Sequence, residues 1–315
     1  MIRKAVIGSI AGPFLSLNET SILKKEKPWG IILFKRNILS EKQLKKLTNK
    51  IKKIMKDSKF PILIDEEGGR VSRFSNFLDN SAFNQKYFGD IYKSNKIVSI
   101  RLYKKYINSI SKILLKTGIN INTSPVLDLT KKNTHAVIGN RSYSKNVNTI
   151  NKLGKICVNT YKKNKIATVI KHIPGHGGAN LDSHVKLPKI NNSLKLLKKT
   201  DFKCFKNIPS FFAMTAHILY SQVDKKKNAT HSKIIIEKII RKQIGFKGIL
   251  ISDDVSMKAL KFNLIKNAQL ALNAGCNLVL YCEGKTTEMS KLLKAMPYID
   301  KFTVKKTSEF YKFLS

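Results

Sequence analysis

Short apolar runs, rich in β-branched residues, recur eight times along the chain: Ala5–Ile10, Gly30–Phe34, Phe60–Ile64, Ile119–Leu127, Ala167–Ile170, Phe211–Met214, Gly248–Ile251 and Asn277–Tyr281. Each has the length and composition of a strand. Most are separated by lysine-rich stretches with helical periodicity, such as Glu41–Met55, Ser94–Thr117, Thr149–Asn164, Ser232–Ile244 and Met257–Ala274. Strand alternating with helix implies βα units and a parallel sheet. Eight such units within 315 residues fit an α/β fold of the TIM (β/α)8 barrel type. An open, doubly wound sheet is the competing arrangement, but its G-x-G-x-x-G phosphate fingerprint is absent. No internal repeat or linker divides the chain, so residues 1–315 read as one barrel domain. The third connection, roughly Arg73 to Lys93, is long enough to carry an extra loop at the barrel top.

Composition adjusts this picture in a few places. Apolar residues make up 42%, enough for a core, and no run approaches the ~18 to 20 apolar residues of a membrane span. Arg3-Lys4 followed by Ala5 to Leu17 has a superficial likeness to a signal peptide, but it is short, broken by Ser and Gly, and lacks a small-x-small site. It reads better as the first barrel strand, which places the protein in the cytoplasm. Cys157, Cys204, Cys276 and Cys282 have neither zinc-site spacing nor disulfide density and read as small buried residues. The formal net charge is +40, and only seven of the 60 basic residues are Arg. The lysines are spread along the whole length without a basic–aromatic motif, which argues against specific nucleic-acid recognition and leaves a general attraction to polyanions.

Chemistry gathers where the predicted strands end. Asp65-Glu66-Glu67-Gly68-Gly69-Arg70 follows the third strand, Asp128 the fourth, Lys171-His172 the fifth, Thr215-Ala216-His217 the sixth and Ser252-Asp253-Asp254 the seventh. Any one of these is explained by a turn or a helix cap. Five in the same topological place point to a shared pocket, because barrel enzymes build their sites at the C-terminal strand ends. The densest stretch is Lys171 to His184, with three His, one Asp and one Lys among Gly and Pro. Asp182 and His184, two residues apart, lie on the same side of a locally extended loop, and a carboxylate beside an imidazole makes a proton-transfer pair near neutral pH.

These segments resemble a known family. K-H-x-P-G-H-G with D-S-H at 171–184, D-x-E-G-G-R-V at Asp65–Val71, V-I-G-N-R-S at Val137–Ser142 and G-F-x-G-x-x-x-S-D-D-x-S-M at Gly245–Met257 are similar to glycoside hydrolase family 3, and within it to the single-domain bacterial β-N-acetylhexosaminidases. The resemblance spans nearly the whole chain. It implies a retaining, two-step hydrolysis of terminal β-linked GlcNAc through a covalent glycosyl-enzyme, without cofactor or metal. It implies Asp253 as nucleophile and His184 as acid/base with Asp182 as its partner, in place of the usual second carboxylate. Asp65, Arg141, Lys171 and His172 are implied as sugar-binding residues, with Met214 and His217 on the pocket floor. Asp254 is left to cap or position the following helix, and His176 to shape the P-G-H-G turn. His135 and His231 read as surface residues. Asn140 departs from the family, where Asp often precedes the Arg. The implied substrate is a GlcNAc-containing muropeptide or oligosaccharide, acted on by a monomer in cell-wall recycling.

Two other functions compete. A metal-dependent hydrolase or deacetylase would use His172, His176, Asp182 and His184 as ligands, against which stand the glycine-rich loop and the adjacent Lys171 cation. A polyanion-binding barrel without catalysis is motivated by the charge alone.

Overall fold

The computed structural model describes residues 2–131, 138–178 and 187–315. Eight parallel strands close into a barrel in the order β1 (Lys4–Ser9), β10 (Leu278–Leu280), β9 (Ile249–Asp254), β7 (Phe212–Thr215), β5 (Ala167–Ile173), β4 (Ile121–Asn122), β3 (Ile62–Ile64), β2 (Pro28–Leu33). All eight predicted runs form barrel strands, and β1 pairs on both sides, with β2 and β10. Two further strands, β6 (Lys189–Ile190) and β8 (Leu219–Tyr220), pair with each other outside the barrel.

The strands are apolar on both faces because both faces are covered. Inward residues such as Ile7, Ile32, Leu63, Val169 and Ile251 fill the barrel interior, and the alternate ones pack under the helices. The bottom is closed by the last helix, α10 (Lys301–Leu314). There Phe310 packs edge-on against Phe212, which meets Trp29 in the same way, and the Trp29 indole N–H donates to Thr307 Oγ1 at 2.9 Å. With its floor plugged, the barrel interior opens at its C-terminal mouth.

The outer helices follow their periodicity. α2 (Glu41–Met55) matches its predicted span and buries Leu44, Leu47 and Ile51 on one stripe, while Ser40 caps its first turn. α4 (Lys96–Lys116) and α5 (Val147–Lys163) fall within two residues of expectation, and Ile235–Ile244 winds as a π-helix. α8 (Leu264–Ala274) starts seven residues later than Met257, because the Asn263 side chain caps it there and the preceding residues turn over the end of β9. The long third connection contains a turn-rich segment followed by the short helix α3 (Gln85–Ser94). His231 is buried rather than on the surface: its Nε2 meets the Asn267 carbonyl at 3.1 Å. Cys157, Cys204 and Cys276 are buried, whereas Cys282 is only partly so.

Candidate active site

At the strand C-termini lies a cavity of about 380 Å³, within the range of small-ligand sites. Asp65, Arg141, Lys171, His172, Met214 and Asp253 all line it, so six of the predicted site residues converge there. His217 does not line it, and Asp182 and His184 lie outside the described residues.

One wall is a chain of alternating charges. Glu67 accepts two bonds from Arg141, at 2.7 and 2.8 Å, and is 2.5 Å from Lys171. Lys171 also bonds Asp65, which accepts from Arg73 at 2.6 Å and from the Thr123 hydroxyl at 2.6 Å. Burial by itself would raise the Asp65 carboxyl, but Lys171, Arg73 and Arg141 outweigh it and hold it well below the ordinary carboxylate range. Glu67 is lowered in the same way, with Arg141 the leading cation against burial. Three cations face two carboxylates, so the wall is a preorganised donor and acceptor surface with one positive charge in excess. Such a surface suits a polyhydroxylated ligand near an anionic group.

The local sequence explains how these groups reach one another. Glu66, next to Glu67, turns away and ties the loop together. It accepts from the N–H groups of Gly68, Arg73 and Phe74 and from the Asn80 amide. That holds Arg73 over Phe34 and against Asp65. Gly68 is required at this turn: its φ is +80°, and a Cβ would sit 2.3 Å from the Phe83 carbonyl oxygen. Arg141 is positioned by Glu67, while its neighbour Asn140 lines a separate groove.

On the fifth strand His172 is clamped by Asp128. The carboxylate accepts from Nδ1 at 2.7 Å, and from the backbone N–H groups of His172 at 3.2 Å and His176 at 2.7 Å. An ionised carboxylate can only accept, so Nδ1 is the donor to Asp128. Burial would raise Asp128, but His172, followed by His176, holds it low. His176 also lines the cavity, with its ring edge-on to His172 at 5.6 Å. Burial, reinforced by His172, lowers its pKa to about 4, so it is a neutral ring at physiological pH.

The seventh strand ends in two acids with different surroundings. Asp254 accepts from the Ser256 N–H at 3.0 Å, the Ser256 hydroxyl at 2.7 Å and the Cys282 N–H at 3.3 Å, which makes it the cap of the following turn. Asp253 accepts from the Asp254 N–H at 2.8 Å and donates its own N–H to Thr215 Oγ1 at 3.3 Å. His217 stands behind this pair. Its Nε2 donates to the Asp254 carbonyl at 2.9 Å, and its Nδ1 meets Thr230 Oγ1, which in turn meets Thr215 Oγ1, both at 2.8 Å. The expectation that His217 lines the floor is therefore corrected. It is fully buried and braces the backbone on both sides of Asp253, while Met214 occupies the floor.

Four residues of the site had no assigned role in the sequence reading: Glu67, Arg73, Thr123 and Asp128. Glu67 and Asp128 stand at the noted strand ends, but their partners are 74 and 44 residues away. Arg73 lies three residues beyond the Gly-Gly-Arg turn, where only the loop geometry shows that it returns to Asp65. Of the four metal-ligand candidates, only His172 and His176 are among the described residues, and among those residues there is no group of three or more potential ligands.

The glycosyl hydrolase family 3 N-terminal domain matches residues 13–305. The chain belongs to this family. It is a glycoside hydrolase, and among similar family members the β-hexosaminidase of Neisseria gonorrhoeae (strain NCCP11945) is 34% identical over 287 residues, covering 89% of this chain and 78% of the relative. The crystal structure of NagZ from Neisseria gonorrhoeae in complex with N-trifluoroacetyl-D-glucosamine superimposes with a TM-score of 0.88 at 30% identity, covering all of this chain and 90% of that one. The structure of NagZ from the same organism in complex with zinc ion gives 0.87 at 30% identity, covering 98% and 90%. The barrel predicted from the strand pattern is thus the fold observed, and the family that the motifs resemble is the one matched.

Proposed function

We propose that this family 3 hydrolase is a retaining exo-β-N-acetylglucosaminidase that removes terminal β-linked GlcNAc from muropeptides or related oligosaccharides. The observation that carries the reading is the convergence of Asp253 with the Arg141–Glu67–Lys171–Asp65–Arg73 network in one cavity closed from below. The β-hexosaminidase relative and the amino-sugar complex of NagZ support the choice of sugar.

In this reading the network and His172 hold the sugar hydroxyls. An Asp253 oxygen attacks the anomeric carbon as the glycosidic bond breaks, and His184, oriented by Asp182, gives its proton to the departing oxygen. Neutral His184 then takes a proton from water, whose oxygen attacks the same carbon and releases Asp253. Two inversions give net retention. Asp254, spent on the turn, takes no part. Residues 1–315 act as a single catalytic domain, as a monomer, in the cytoplasm and without a cofactor.

Release of p-nitrophenol from its β-N-acetylglucosaminide, with the product anomer followed by NMR, tests this. No turnover by folded protein, or inverted product, overturns it. Full activity after exhaustive chelation is expected; loss with rescue by Zn²⁺ would replace it with metal-assisted hydrolysis.

A further inference from the structure

Beside the sugar cavity lies a second concavity, a groove of about 1600 Å³ along the same rim. Nine lysines and one acid, Asp90, line it. The lysines come from separate stretches of chain: Lys86 and Lys93 on α3, Lys145, Lys152 and Lys155 before and along α5, and Lys203 and Lys206 beyond them. Lys86 pairs with Asp90, and Lys131 with Asp201 at 2.7 Å. The other seven form no ion pair among the described residues. A concave surface lined by one sign of charge concentrates its field and gathers counter-charge.

The groove adjoins the sugar cavity through a single turn. Ile138 and Arg141 line the cavity, while Gly139, Asn140 and Ser142 line the groove. On the other side Lys131 reaches the segment that follows the fifth strand, its Nζ 3.1 Å from where a Cβ on Gly178 would stand. We infer that this groove binds an acidic aglycone, the carboxylate-bearing remainder of the molecule whose sugar occupies the cavity; the inference rests on the glycosidase reading above. A sugar filling the cavity leaves its aglycone outside, at a rim whose neighbouring concavity is cationic. The choice of carboxylates over single-stranded nucleic acid follows from the lining. Lysine ammonium groups are point charges without the planar fork that reads bases and phosphates. Single-strand binding also uses exposed rings as stacking platforms. Of the two tyrosines here, Tyr143 is buried with its hydroxyl on Tyr103.

The test compares kcat/KM on p-nitrophenyl β-N-acetylglucosaminide, on GlcNAc-anhydromuramyl peptide, and on that peptide with its carboxylates amidated. The wild-type protein should prefer the acidic substrate, and the preference should fade as NaCl rises from about 0.05 to about 0.5 M, where screening shortens to a few ångströms. Lys145→Glu/Lys152→Glu/Lys155→Glu should lose roughly tenfold or more on the acidic substrate, mainly through KM, and stay within about twofold on the other two. The corresponding Gln variant should fall between. Equal losses on all three substrates, or no loss on the acidic one, overturn the proposal. So does tight binding of a short single-stranded oligonucleotide at physiological salt that the Glu variant abolishes while its acidic-substrate kinetics stay unchanged. Wild-type protein inert on the p-nitrophenyl substrate would refute the glycosidase reading instead. Calorimetric titration of the acidic and amidated peptides would then still decide whether the groove selects carboxylates.

Discussion

Glu67→Gln is the sharpest probe of the charged wall. Glu67 is 4% exposed and is the joint between Arg141 and Lys171. Glutamine keeps the shape but removes the charge, and turns one of two accepting oxygens into an NH2 group facing a cation. Breaking a buried ion pair from one side costs about 3–5 kcal/mol, because the cations left behind are desolvated and uncompensated. At about 2.1 cal/mol/K of unfolding entropy per residue, 315 residues give about 0.66 kcal/mol/K, so the midpoint should fall by about 5–8 °C. The same change frees Arg141 and Lys171 from the geometry in which, on the proposed function, they hold the sugar, so kcat/KM should fall as well. Calorimetry and p-nitrophenol release read the two effects. Arg141→Met combined with Glu67→Gln should be less destabilised than the sum of the singles, with a coupling of about 1–3 kcal/mol. A midpoint loss under about 2 °C with kcat/KM within about twofold of wild type would refute the view that these charges act as a unit.

Three further outcomes are expected. Asp253→Ala should keep its fold and lose on the order of 10⁴ or more in rate, whereas Asp254→Asn should mainly lower the thermal midpoint; the reverse pattern, read by the same two assays, would exchange their roles. His184→Ala should be far slower on a disaccharide than on a dinitrophenyl glycoside, which needs little protonation, and Asp182→Asn should show a milder form; equal losses on both substrates would make His184 a binding or structural residue. Stability should fall between pH 7 and pH 4.5, in part because the unfolded chain protonates His176 at the ordinary value near 6.5 while the folded protein resists until about 4. Urea unfolding should therefore show the cost of His176→Asn shrinking by about 2–3 kcal/mol between those pH values, and an unchanged cost would refute the burial argument.

The sequence revealed the barrel because its signals are local. Each strand is a short run with its own polar punctuation, and the eight observed strands overlap the eight predicted ones. The boundaries that moved did so for side-chain reasons, as where Asn263 caps α8 seven residues after the periodicity begins. The site was legible as a set of strand ends and less so as a set of partners. Lys171 and Asp65 stand out in the sequence, but the carboxylate joining Lys171 to Arg141 is Glu67, and that pairing depends on the Gly68 turn sending Glu66 and Glu67 to opposite sides. His217 shows the opposite error. A polar residue just past a strand end was expected on the floor, but the strand's last turn carries it behind the floor, where it holds backbone.

The two acids at the end of β9 show why residue type alone does not assign a role. Asp253 and Asp254 both line the cavity, but their partners differ although they are chemically identical. Asp254 is occupied by three donors from the turn it caps, and burial raises its carboxyl. Asp253 lines the cavity, with its N–H on Thr215 and the next peptide carbonyl held by His217. A nucleophile gains from a fixed backbone and an approachable carboxylate, because misplacement by a fraction of an ångström costs rate. The Thr215–Thr230–His217 brace ties the Asp253 backbone to the end of β7. His217→Ala should accordingly lower kcat more than it raises KM, without altering which pH limbs appear in the rate profile. A selective rise in KM would instead place His217 in sugar binding.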